Sequence, residues 1–165
     1  MPLPLHLFIH FALAVLSGLI IGYYFDNLWF CLVVAIFGGF LIDLDHVIEY
    51  FLVFGPHLNL RYFFSGYQFL ISGQIRIFFH ALEYLPIFVI FFWMFRRQPE
   101  WSLFFITLAL SGSIHLVSDC FINHYPLQNY SLIYRQKVNF SAEKLLNSEQ
   151  YLKYLKEKKE LNLNN

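Results

Sequence analysis

Apolar residues run along this chain in four long blocks: Leu7 to Phe25, Leu28 to about Phe54, Ile77 to Phe95, and Trp101 to about Phe121. Each approaches the roughly 20 residues that an α-helix needs to cross the hydrocarbon core of a bilayer. The pattern predicts an all-α membrane protein with about four transmembrane helices. The second block is interrupted. It is wholly apolar from Leu28 to Ile42, then admits Asp43, Asp45, His46 and Glu49 before apolar residues resume, so the span either ends near His46 or continues as a broken helix. Gly38 and Gly39 just upstream permit distortion or close helix packing.

Between the second and third blocks, Gly55 to Gln74 mixes aromatic residues with Gly and Ser. It is too short and too polar for another crossing and predicts an interfacial or re-entrant connector. Arg96, Arg97, Gln98 and Pro99 form a polar turn in which the proline ends any helix. The character changes after Pro126. These boundaries divide the chain into a transmembrane domain over 1–125 and a cytoplasmic or membrane-surface tail over 126–165. Within that tail, Leu145, Leu146, Leu152 and Leu155 lie among lysines, which suits either an amphipathic helix on the membrane surface or a solvated charged helix.

Composition strengthens the membrane reading, because only 13% of residues are charged, against roughly 25% in a soluble domain. Net charge is zero and no Lys/Arg block precedes residue 135, so the electrostatic footprint of direct nucleic-acid binding is missing. Cys31 and Cys120 lack a C-x-x-C spacing and read as buried structural thiols. Met1-Pro-Leu-Pro lacks the basic start of a secretory signal, so the first block is expected to persist in the mature protein. Four crossings bring both termini to one side, which the seven Lys/Arg of the tail mark as cytoplasmic. Arg96 and Arg97 oppose that orientation and leave a three-crossing arrangement open.

The residues that carry chemistry are the ionisable ones inside the apolar blocks. A charged side chain at mid-membrane costs about 2.5 to 3.5 kcal/mol on insertion scales, so such groups are usually paired or functional. Here they are His6 and His10 in the first block, Asp43, Asp45, His46 and Glu49 in the second, His80 and Glu83 in the third, and His115 and Asp119 in the fourth. Successive crossings reverse direction. His10 is therefore early in its span, the Asp43–His46 run late, His80 early, and His115 with Asp119 late, which puts all of them toward the side of the termini. Scatter by chance does not predict one shared depth, whereas convergence on one ion requires it.

Local spacing agrees, since residues three or four apart share a helix face: Asp43 with His46, Asp45 with Glu49, His80 with Glu83, and His115 with Asp119. Asp43 and Asp45 lie about 200° apart on a regular helix, so both aim inward only with difficulty. Imidazole and carboxylate together suit zinc first, with manganese or non-haem iron as alternatives, and a catalytic ion keeps a position open for water. Glu83 and Glu49 serve as ligand, as proton acceptor, or as partner to a ligating histidine. An isolated histidine such as His10 has a plainer reading, a hydrogen bond between helices. His6, His57 and His124 read as surface residues, and Ser111 and Gly112 as small residues that admit a neighbouring helix.

These motifs resemble those of the LexA-binding, inner-membrane-associated hydrolase family, also described as YdjM-like membrane-bound metal-dependent hydrolases. The matching elements are the early His10 followed by small and apolar residues to Gly18, the D-x-D-H element Asp43-Leu-Asp-His46, and the late H-x-x-x-D element His115-Leu-Val-Ser-Asp119. The family's middle element, approximately H-R-x-x-T-H-S, is met by Arg76 and His80 alone. The resemblance covers roughly residues 5 to 125 and implies a small multi-helix protein of the prokaryotic inner membrane with a His/Asp metal site and hydrolytic activity. Nothing in these residues suggests a surface for contacting LexA.

The sequence thus leads to a metal-dependent membrane hydrolase in which Asp43, Asp45, His46, His80, His115 and Asp119, with His10 completing the set, hold one or two divalent ions. Glu83 or Glu49 is the expected proton acceptor. The partners are membrane lipid and a lipid-linked ester or phosphoester. An ion or proton relay built from the same residues and a scaffold whose polar residues merely pair helices are the alternatives.

Overall fold

A computed structural model describes residues 3–163, with the side chains of Leu3, Pro4, Phe40, Leu41, Asn162 and Leu163 left aside. The described chain is all-helical, without a strand. Three helices are long and apolar enough to cross a membrane: α1 (Leu3–Tyr24), α2 (Leu28–Phe54) and the later α6 (Pro99–Asn123). Their outward faces carry large apolar side chains such as Phe8, Ile20, Val33 and Phe37, each at least half exposed. Exposure on that scale is expected where lipid, not water, is the surrounding medium.

α2 runs unbroken through its acidic stretch to Phe54, so the helix neither ends near His46 nor breaks there, unlike either expected outcome. Gly38 and Gly39 serve packing. A Cβ on Gly39 would lie 2.9 Å from the Ala14 Cβ in α1, and one on Gly38 would lie 2.8 Å from Leu108 in α6. Glycine is what lets these three helices approach closely enough for side chains on all of them to meet. The polar end of the bundle is where α1 begins and α2 and α6 finish.

The third apolar block differs from expectation. Instead of a span from Ile77 to Phe95, only α5 (Tyr84–Met94) is helical, about 16 Å of rise at 1.5 Å per residue and half of a bilayer core. Residues 75–83 are irregular because their hydrogen bonds go elsewhere. The Phe79 and His80 amides donate to the Asp45 carboxylate at 2.8 and 3.2 Å, Leu82 donates to the Tyr130 carbonyl, and Ile75 to the Phe140 carbonyl. Irregular backbone among membrane helices persists only where protein satisfies its polar groups. α5 packs along α6, with the Phe88 ring and that of Phe95 just beyond α5 stacked against Phe105 and the Phe91 ring tilted toward it.

The connector forms two short helices, α3 (Leu60–Phe64) and α4 (Tyr67–Ser72). The buried Tyr50 hydroxyl ties the turn before them to α2, accepting from the Asn59 amide at 2.9 Å and donating to the His57 carbonyl. The segment after Pro126 is no detached tail over its first half. A 3₁₀ turn (Leu127–Tyr130), α7 (Leu132–Lys137) and α8 (Ala142–Leu145) fold back so that Tyr130, Arg135, Ala142 and Leu145 are buried. An isolated bridge between Gln74 and Ser141 joins this return to the connector. α9 (Ser148–Leu163) is docked by Gln150 to the Asn123 carbonyl and by Tyr154 to α4, yet Leu152 and Leu155 stay exposed.

Candidate metal centre

Histidines and aspartates from α1, α2, α6 and the irregular stretch before α5 converge at the polar end of the bundle. His10, His80, His115, Asp45 and Asp119 are buried, while Asp43 and His46 keep partial exposure. Four ligand-type atoms form the centre: His80 Nε2, His115 Nε2, Asp119 Oδ2 and Asp43 Oδ1. Asp119 lies 3.3 Å from His80 and 3.5 Å from His115, Asp43 lies 3.5 and 3.6 Å from the same two, and the two Nε2 atoms are 3.4 Å apart. Ligands about 2.1 Å from one ion at tetrahedral angles sit roughly 3.4 Å from each other, so the spacing fits a divalent cation of the zinc type.

Asp119 turns its other oxygen toward α1. Oδ1 is 3.1 Å from His10 Nε2 and 3.7 Å from His6 Nε2, a second group of three potential ligands. The His10 nitrogen is buried and off the line of a hydrogen bond, so only proximity to the carboxylate answers it. On the opposite flank, His46 Nε2 stands 3.9 Å from Asp43 Oδ1 and completes a third group with His80. A carboxylate shared between neighbouring groups is the arrangement by which two ions are held side by side.

Asp45 departs from the role the sequence gave it. It does not join these ligand groups. Fully buried, its carboxylate accepts from His80 Nδ1 at 3.0 Å as well as from the two backbone amides. An ionised carboxylate only accepts, so Asp45 holds a proton on His80 Nδ1 and leaves Nε2 as the ring nitrogen turned toward the centre. The angular conflict between Asp43 and Asp45 is thereby resolved: the two carboxylates address opposite nitrogens of one imidazole ring, Asp43 at Nε2 and Asp45 at Nδ1.

Glu83 is also elsewhere. Both its oxygens are occupied by the start of α7, with the Ser131 hydroxyl and the Leu132 and Ile133 amides donating to them. Glu83 therefore anchors the returning chain and is not free to accept a proton at the centre. Glu49, one turn beyond Asp45, is buried with neither oxygen hydrogen-bonded among the described residues; the charges of Arg76 and Asp45 act on it.

Two contributors escaped the sequence. His6, read as a surface residue, lies with its ring 4.3 Å from that of His10 and near Asp119, whereas His57 and His124 are exposed as expected. Its i, i+4 spacing from His10 was the available signal. Arg135 of α7 is fully buried and donates from Nη2 to the His80 carbonyl at 2.7 Å. Burial lowers the proton affinity of its guanidinium, with the charges of Asp45 and Glu83 opposing that effect. The returning segment thus reaches the residue at the middle of the cluster.

A cleft of about 220 Å³ opens beside Asp43 and His46, with His6 and Gln68 also in its wall. It gives the exposed edge of the centre a route to solvent. The chain matches no protein-family model, no curated protein and no solved structure.

Proposed function

We propose that this protein is a metal-dependent membrane hydrolase acting on an ester or phosphoester, with His80, His115, Asp43 and Asp119 as the central ligands and His10, His6 and His46 able to support a second ion. The observation that carries this reading is the convergence on one point of His80 Nε2, with Nδ1 held by Asp45, the His115 nitrogen and two carboxylate oxygens within 3.3 to 3.5 Å of His80 Nε2. A cation bound among these four atoms would be coordinated by all of them. A divalent ion held there would act as a Lewis acid and lower the pKa of an attacking water toward about 7. Asp45 would fix the tautomer of His80, and the partly exposed Asp43 and His46 would border the entry of substrate and water.

The same reading includes a fourth crossing made of α5 and the irregular stretch before it. The reading places both termini on the cytoplasmic side of a prokaryotic inner membrane, and the motif resemblance to the YdjM-like family supports it. Elemental analysis of detergent-purified protein tests the centre. Wild type should carry zinc, manganese or iron near stoichiometrically, and His115→Ala and Asp119→Ala should lose it while still folding.

One observation favours a second reading. Glu49, buried one turn from Asp45 and under the charge of Arg76, extends the cluster in the manner of a proton relay, in which a proton takes the place of the cation at His80. Folded wild-type protein that binds no metal, yet carries protons across sealed vesicles in a Glu49-dependent way, would replace the hydrolase with the relay.

A further inference from the structure

The helical half-span of α5 leaves a space that a full third span would have filled. Because helix begins only at Tyr84, an apolar groove of about 460 Å³ lies between α2, the irregular stretch, α5 and α6. Among the described residues of its lining, Tyr84 alone has a polar side chain. The volume is within the roughly 300 to 1,000 Å³ of ligand-binding cavities.

The groove is walled by immediate chain neighbours of the candidate metal centre, whose own side chains lie outside its lining. Leu44 stands between Asp43 and Asp45, Phe79 and Ala81 flank His80, and Leu116 follows His115. From Leu116 it extends along α6 past Gly112 to Leu108, eight residues and about 12 Å of helix rise, away from the polar end of the bundle. The open cleft beside His6, Asp43 and His46 lies on the solvent side of the same centre. A cleft edged by His6, Asp43 and His46, the cluster of ligands and an apolar groove therefore follow one another in the order of a leaflet lipid: head group, linkage, acyl chain.

We infer that the groove binds an acyl chain of a membrane lipid and presents that lipid's ester or phosphoester linkage to the His/Asp centre. The inference rests on the hydrolase reading for its chemistry, but the groove can be tested without turnover. Helices bathed in hydrocarbon gain little from contact with one more chain, so selectivity has to come from the shape of the groove and from the head group held at the centre.

Phosphatidic acid with a photoreactive diazirine midway along one chain offers both linkage types and serves as the probe. In nanodiscs containing metal-loaded wild type, illumination should label Leu85, Phe88 and Leu108, and unlabelled phosphatidic acid should compete that labelling away, while labelling of the outward-facing Val33 and Trp93 resists competition. A Cβ on Gly112 would meet Leu85 and Ile42 at 3.5 and 3.6 Å, ordinary contact, so Gly112→Ala should fold and retain the label. Gly112→Leu should fill the groove and lose the competed label. If that variant fails to fold, Leu108→Trp at the deep end should restrict labelling to shorter-chain probes. Labelling spread equally over groove and outer faces, or insensitive to competition, overturns the groove. Competed labelling without cleavage of any bond keeps the groove and removes the hydrolase, whereas cleavage of a water-soluble phosphoester without groove labelling does the reverse.

Discussion

Replacing Asp45 with asparagine separates an orienting role from a ligating one. Asp45 Oδ2 accepts from the Phe79 and His80 amides and from His80 Nδ1, while Oδ1 lies 3.2 Å from the same ring nitrogen. An asparagine oxygen in the Oδ2 position keeps the backbone bonds and the Nδ1 bond, so the irregular stretch should hold its course. The amide NH2 then stands where Oδ1 was, 3.2 Å from Nδ1, and the negative charge beside the ring is gone. The ring is held less firmly and its Nε2 becomes a weaker base toward the centre. Loss of such an outer partner typically costs 10- to 100-fold in metal affinity, equivalent to about 1.4 to 2.7 kcal/mol. Competition with a chelator of known affinity, on protein whose helicity matches wild type, should show that loss for Asp45→Asn, and His115→Ala should bind no metal over the same range. Unchanged affinity in Asp45→Asn would refute the orienting role, and complete loss would make Asp45 a ligand.

Arg135→Met should lower the unfolding temperature and weaken metal binding, because the buried His80 carbonyl loses a charged donor worth about 1.5 to 3 kcal/mol. Arg135→Lys should restore part of both, and equal loss in the two variants would show that the positive charge near His80 is irrelevant. Glu83→Gln should lower the unfolding temperature, because the Ser131 hydroxyl and the Leu132 and Ile133 amides lose an ionised acceptor, and an unchanged unfolding temperature would contradict the anchoring role at α7.

The sequence by itself determined the apolar spans, their connection by short turns, and the set of residues able to meet at one depth. Those properties are local. Hydrophobic blocks report membrane length directly, and the alternation of chain direction converts position along each block into depth, which is why His10, Asp43, His46, His80, His115 and Asp119 were recognisable as one group. Helical spacing also flagged the conflict between Asp43 and Asp45. Tertiary structure alone decided how it is resolved, since that depends on which nitrogen of His80 each carboxylate meets. It also decided that the third block is half helix. The apolar run Ile77–Phe95 is compatible with a full span, and only competition from Asp45, Tyr130 and Phe140 for its backbone hydrogen bonds shows why the helix starts at Tyr84. The same holds for Glu83 and Arg135. Their partners lie about fifty residues away in sequence, on a returning segment whose polar composition reads as solvated tail, and a buried guanidinium leaves no periodic trace because its burial is set by the helices that close over it.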